Sequence, residues 1–464
     1  PSDRPELLIS INLPQNASIE ATDATTKKIE ALLSSDPSVD HFSTYVGSGA
    51  IRFYLPMDVL LANDNISQIV VVAKGDQERD QLRARLETEF RSQFPDITAR
   101  AMPLEMGPPV GWPIKYRVTG ADPSKVREFA MQLGNIVASN PSTREVNLSS
   151  GEPQKTVRVD LAQAQARALG VSSEAVSIAL ASLFSGAPVT AVRDRGRLVD
   201  VVLRANRNER NNLATLSNLQ LTSPSGKTVP LTQIANLSYG VEEPIVWRRQ
   251  REPIVTVQAD IADSVQPATV SKQLASAVAQ FKRTLPQGYD VQEGGAVEES
   301  AKGSDSVFAV VPLMIGIIVA LLMLQLRSFS RTAIALAMAP FGLIGIVLAM
   351  LPTHTPMGFV AQLGAIALAG MIIRNAVILI EEVDVNRAQG MASIDAIKQA
   401  VNHRSRPIML TACAAILGMI PIAHQRFWGP MAYAVIGGLA GATVLTLTLL
   451  PCAMLWLLQW EDRR

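Results

Sequence analysis

The sequence predicts an α+β region followed by an all-α membrane bundle, and three observations predict it. Strand-like and helix-like patterns alternate through residues 1–110 and resume after 111. Residues 1–302 read as water-soluble, whereas five long apolar runs follow residue 303. The soluble part contains no cysteine; the only two, Cys413 and Cys452, lie inside apolar runs, so no disulfide framework or zinc cluster is available to organise a small fold. With 464 residues the chain is too long for one soluble domain, and its net charge of +1 gives no reason to expect a nucleic-acid partner.

The first unit is assigned from periodicity. LLISINLP, QIVVVAKG and ITARAMP alternate as strands, while SIEATDATTKKIEALLS and QERDQLRARLETEF have the 3.6-residue period of helices. This order is that of a ferredoxin-like split β-α-β unit, placed at 1–110. A second unit opens with KYRVTG as strand and a helix that Asp122 caps and Pro123 begins, followed by the strands REVNL and TVRVDL. PIVTVQADI, a helix over 265–283 and YDVQEGG complete it, so the unit is placed at 111–167 and 251–302. The interruption, 168–250, combines the helical SSEAVSIALASLFSG with strand- and turn-rich stretches such as RLVDVVLRA and GKTVPLTQIANLSYG.

The last part, 303–464, holds apolar runs at 307–326, 332–351, 359–380, 407–423 and 431–458, each near the roughly 20 residues that span a bilayer. The first and third connections and the C-terminus carry Arg327, Arg331, Arg387, Lys398, Arg404, Arg406, Arg463 and Arg464, whereas the second and fourth connections carry only Arg426. This bias places residues 1–302 outside the cytoplasm, in a bacterium the periplasm, with Trp456 and Trp460 at the inner interface. An odd number of spans with an outside start demands an upstream export signal, so further sequence before Pro1 is expected.

Most small motifs favour plain readings. SGKT at 225–228 lacks the first glycine of a phosphate loop, since Leu221 stands there, and Pro224 and Pro230 oppose the required helix. It is a hairpin turn. His41, His354, His403 and His424 form no i, i+4 pair, and Met102 and Met106 suit flexible apolar filling better than a thioether metal relay, so neither a metal site nor a cofactor is expected. No nucleophile arrangement suggests an enzyme.

Arg374 resists a plain reading. It is the only formal charge within the five runs, and such a placement costs about 2.5–3.5 kcal/mol on insertion scales. Snorkelling fails, because the inner end of its span lies roughly 9–14 Å away at 1.5 Å per residue. Its partner is expected on another helix or in a wet cavity, and intramembrane ionisable groups generally mark ion or proton paths.

DLAQAQARALGVS with DRGRLVDVVL, RNAVILIEE at 374–382 and RSRPIMLTACAAILGMIPIA at 404–423 give the whole chain a resemblance to the C-terminal half of a resistance-nodulation-division efflux transporter of the hydrophobe/amphiphile multidrug class. The resemblance implies a proton-driven, trimeric inner-membrane exporter of amphiphilic small molecules, working with a periplasmic adaptor and an outer-membrane channel and completed by a missing N-terminal half. It implies that the two α+β units are the third and fourth porter subdomains, that 168–250 is the docking subdomain, and that the spans are helices eight to twelve. Arg374, beside Asn375, stands where a basic residue pairs with aspartates of the fourth helix. Thr411 matches a hydroxyl residue of the eleventh helix in that proton relay, and Arg404 a basic residue at its cytoplasmic entrance. Arg100, Met102 and Glu105 match the lining of the substrate-access cleft. Two departures stand out: arginine replaces the usual lysine at 374 and does not deprotonate, and the glycine-rich loop at 45–56 is short. A membrane-anchored periplasmic scaffold is the competing reading and predicts that Arg374 tolerates apolar replacement. A relative assisting protein secretion fits less well, because the docking-type insertion with DRGR is present.

Overall fold

A computed structural model of the chain describes all residues except 1, 56, 58, 107–109, 211–212, 224–225, 244, 263–264 and 464, together with the side chains of Arg207 and Leu213. Part of the SGKT turn, the end of the short loop at Pro56, the end of TARAMPLEMG at Gly107, and Arg464 therefore lie outside the described residues. Two compact units result, Ser150–Val246 and the remainder.

The larger unit begins with β1 (Glu6–Asn12), α1 (Ile19–Ser35), β2 (Val39–Val46), β3 (Ile66–Ala73), α2 (Asp76–Gln93) and β4 (Thr98–Pro103). The four strands form an antiparallel sheet in the order β2-β3-β1-β4. Strand alternation sorts the side chains between two faces. Leu7, Ile9, Ile11, Ile69 and Val71 pack under Ile29, Leu33, Leu82, Leu86 and Phe90 of the two helices. Leu8, Val70 and Met102 point to the opposite face, where the loop after β2 brings Ala50, Tyr54 and Met57 over them. Burial of each large aliphatic residue contributes about 1.5–3 kcal/mol, so a one-residue register slip is excluded.

β5 (Ile114–Gly120), α3 (Pro123–Ala138) and β6 (Thr143–Leu148) open the second α+β unit. Asp122 caps α3, accepting a 3.0 Å hydrogen bond from the Ser124 amide, with Pro123 in the first turn. The chain then forms the separate unit Ser150–Val246: β7 (Gln154–Leu161), α4 (Gln163–Ala168), α5 (Ser173–Phe184), β8 (Ala187–Asp194), β9 (Arg197–Leu203), α6 (Arg207–Arg210), α7 (Leu213–Ser217), β10 (Gln220–Thr222), β11 (Thr228–Pro230), α8 (Leu231–Ile234) and β12 (Ala235–Glu242). Here β7 pairs with β12, so this unit's boundaries differ from the sequence-drawn 168 and 250. Its β8–β9 hairpin turns at Arg195–Gly196, both at positive φ, the geometry that matches right-handed strand twist.

β13 (Trp247–Arg249), β14 (Glu252–Ile261), α9 (Pro267–Thr284) and β15 (Tyr289–Gly295) complete the second α+β unit. Its sheet runs β13-β14-β5-β15, with β6 also pairing β14. The core joins Tyr116, Val118 and Val257 to Val126, Leu133, Val270 and Leu274 of α3 and α9.

The membrane part follows as α10 (Ala296–Leu326), α11 (Phe329–Ala337), a 3-10 turn (Ala339–Phe341), α12 (Gly342–Met350), α13 (Phe359–Ala388), α14 (Ser393–Ala423) and α15 (Gly429–Glu461). Five apolar spans result, because α11 and α12 share one of them. That span, expected to be continuous, breaks at Pro340, whose missing N–H cannot satisfy the carbonyl four residues earlier. α13 and α15 form the centre, burying Ile372, Ala376, Leu379, Ile380, Leu439, Leu450 and Leu458. α12 meets α15 backbone to backbone: a Cβ built at Gly345 would stand 2.2 Å from the Gly437 carbonyl oxygen. The expected class, an α+β region with an inserted subdomain followed by a five-span bundle, is the observed one.

Candidate functional site

The residues singled out from sequence fall into a mid-helix layer, an inner-end layer and a pocket on the first α+β unit. In the mid-helix layer Arg374 is exposed and makes no hydrogen bond or ion pair among the described residues. One residue further, 100° around the helix, Asn375 is only 5% exposed and belongs to the packed side of α13. Thr411 of α14 is exposed, and its hydroxyl donates back to the Ile408 carbonyl at 2.9 Å. Among the described residues, this chain therefore presents the cation and the hydroxyl but supplies no carboxylate to them.

Arg404 does not join that layer. Its Nε and Nη2 donate to Glu382 Oε2 at 2.9 and 2.7 Å, and His403 Nδ1 lies 3.4 Å from Glu382 Oε1. Glu382 stands eight residues beyond Arg374, roughly 12 Å along the helix axis. Around it the bundle closes on itself with charge. Arg331 pairs with Asp384 at 3.1 Å and Glu461 at 3.6 Å; Arg387 pairs with Asp462 at 2.6 Å and Glu461 at 3.7 Å; the Ser393 hydroxyl donates to Asp462 at 2.7 Å. Gln325 donates to Glu381 at 3.2 Å. α11, α13, α14 and α15 are all tied at this end. Sequence reasoning counted these arginines for orientation and missed their carboxylates, although RNAVILIEEVDVNR carries Glu381, Glu382 and Asp384 in plain view.

The pocket forms on the face of the first sheet opposite its helices. Arg100, Met102 and Glu105 come together around a cavity of about 120 Å³, with Leu8, Tyr54 and Trp112 among its walls. Arg100 is held on three sides. Its Nε donates to Asp260 of β14 at 2.7 Å, its Nη1 donates to the Gly111 carbonyl at 2.9 Å, and its guanidinium lies 4.4 Å from the centroid of Trp112. The Arg100–Asp260 pair links the two α+β units, and Arg144 to Glu87 at 3.6 Å is a second link. Met102 packs with Leu8, Met57 and Tyr54. Burial raises the Glu105 carboxyl above its ordinary value, an effect that Arg100 partly offsets. Among the described residues, no group of three His, Cys, Asp or Glu side chains stands close enough to hold a metal ion. A second, apolar cavity of about 470 Å³ lies between α10 and α13, lined by Val307, Val310, Met314, Phe359 and Leu363.

Five candidate spans following two α+β units mark a multi-pass membrane protein. Residues 1–458 match the model of the AcrB/AcrD/AcrF family, and the chain belongs to that family of resistance-nodulation-division transporters. It is 27% identical to the nickel and cobalt resistance protein CnrA of Cupriavidus metallidurans, over 96% of this chain and 42% of that protein. It is 26% identical to the swarming motility protein SwrC of Bacillus subtilis, over 73% of this chain and 32% of that protein. In fold it is similar to the crystal structure of a heavy metal efflux pump, with a TM-score of 0.80 and 24% identity, over 98% of this chain and 47% of that one. The chain thus spans less than half the length of the relatives it matches.

Proposed function

We propose that the chain forms the C-terminal half of a proton-driven inner-membrane exporter of amphiphilic compounds. The α+β units are its third and fourth porter subdomains, Ser150–Val246 belongs to its docking region, and both face the periplasm. The observation that carries this reading is Arg374: an obligate cation in the middle of a span, directed away from its own chain's packing, with no carboxylate to meet it among the described residues. Leaving such a charge alone in lipid is costly, so carboxylates from outside this chain stand opposite it. Protonating them releases Arg374 and moves α13; because the guanidinium stays charged, it switches partners rather than carrying the proton. Asn375 and Thr411 add hydrogen-bonding capacity beside that layer, and Arg404, held by Glu382, sits at the inner mouth of the path.

The reading extends to substrates through the Arg100 pocket, whose walls combine Tyr54, Trp112, Met102 and Leu8 with a few polar groups, as access sites for amphiphiles do. A homotrimer with an adaptor and an outer-membrane channel completes the machine. The second reading, export of metal cations, is favoured by what CnrA is named for. Reconstituting the whole transporter in vesicles with an imposed pH gradient separates the two. Ethidium extrusion that collapses with a protonophore supports the first reading; nickel transport without ethidium transport replaces it with the second; no proton-linked movement of either removes both.

A further inference from the structure

Arg426 is the single lysine or arginine on the two outer connections of the bundle, and the structure gives it an occupation that the orientation rule does not explain. It sits in the short link between α14 and α15. Its Nη1 lies 2.6 Å from Asp80 and its Nη2 3.3 Å from Asp76, two carboxylates one turn apart on α2. Its backbone amide donates to both carboxylate oxygens of Asp3, at 2.9 and 3.1 Å. Asp80 is fixed from behind by Arg79, whose Nε and Nη2 donate to it at 3.0 and 2.7 Å. Arg79 is fully buried, and its Nη1 donates to the backbone carbonyls of Ser2 and Arg4, the segment that leads into β1. Although burial alone would raise it, the hydrogen bonds from Arg79 and Arg426 hold the Asp80 carboxyl below the usual range.

We propose that Arg426 is a positioning residue that ties the α14–α15 pair to the first α+β unit, so that movement of those helices is delivered to β1 and α2. The role rests on the proton-driven reading above. The route is short: α14 and α15 flank α13, which carries Arg374; the link between them grips α2 and Asp3 in the segment that leads into β1; and Ser10 of β1 lies in register with Arg100 at the pocket. A single exposed ion pair would transmit little, but here one residue is held by three carboxylates, one of them locked by a buried arginine. Phe427 and Trp428, packed edge to face at 4.9 Å, stiffen the same link.

The test compares proton uptake with ethidium extrusion in vesicles containing the whole transporter. Arg426→Ala is expected to lower extrusion at least fivefold while proton uptake falls less than twofold, and Arg426→Lys is expected to recover at least half of the lost extrusion. Asp76→Asn combined with Asp80→Asn should reproduce the uncoupling, and serves where Arg426→Ala fails to reach the membrane. Wild-type extrusion by these variants, or equal loss of extrusion and proton uptake, overturns the coupling role. Absence of proton-linked extrusion in the unaltered transporter overturns the underlying reading and this role with it, a result distinct from the other two.

Discussion

The inner end of the helix bundle and its middle treat charge in opposite ways. At the inner end Arg331, Arg387 and Arg404 each find carboxylates within the chain, on α13, on α15 or just past it. In the middle Arg374 finds none among the described residues. The inner charges are therefore structural ties that this chain closes itself, while Arg374 is left without such a tie among the described residues. The same contrast recurs at the pocket: Arg100 is engaged by Asp260, Gly111 and Trp112, and the neighbouring Glu105 is left without a hydrogen bond or ion pair among the described residues.

The contrast breaks most decisively at Arg374. On the proposed pairing, Arg374→Ala in the whole transporter should abolish proton-linked extrusion, because breaking a buried ion pair costs about 3–5 kcal/mol, while the thermal stability of this chain in detergent should stay unchanged. A scaffold without transport would show no effect on proton flux. At the inner end the expectation reverses. Arg331→Ala strands Asp384, while Glu461 keeps Arg387, and should lower the melting stability of the detergent-solubilised chain by about 1–3 kcal/mol, which thermal unfolding will measure. Glu382→Ala should cost about 1 kcal/mol or less, since the Arg404 side chain is 43% exposed and solvent screens the pair. A stability loss from Arg374→Ala larger than that from Arg331→Ala would erase the distinction.

The smallest effect is a pH dependence at Glu105. Burial raises its carboxyl in the folded state, so the folded chain holds the proton more tightly than the unfolded chain does. Its contribution to stability is therefore greatest below the unfolded value of about 4.3 and falls as pH climbs from there through the raised folded value. Glu105→Gln should stabilise the chain at neutral pH and flatten that part of the pH profile, measured by unfolding from pH 4 to pH 8.

Local chemistry made much of this legible. The Asp122–Pro123 cap, the alternation of LLISINLP and the apolar runs each declare their structure within a few residues. What escaped depends on distant partners. β2 is an edge strand whose VDHFSTYV shows no clean apolar alternation until it is laid beside β3. Sequence order assigns β7 with β6 to the second α+β unit, but its partner β12 comes more than seventy residues later. The inner carboxylates were hidden by a counting rule that considers only Lys and Arg. Arg374 was singled out because an unexplained cost shows in one dimension; its neighbours in space do not.

The contact between α12 and α15 restricts how the bundle can move. A Cβ at Gly437 would stand 2.5 Å from the Gly345 carbonyl oxygen and 2.1 Å from the Ala349 Cβ, and one at Gly441 would stand 2.9 Å from the Gly345 Cα. With no side-chain layer between them, neither helix has the clearance to slide a turn past the other. They count as one rigid element, so whatever displaces α15 at the outer link must carry α12 with it.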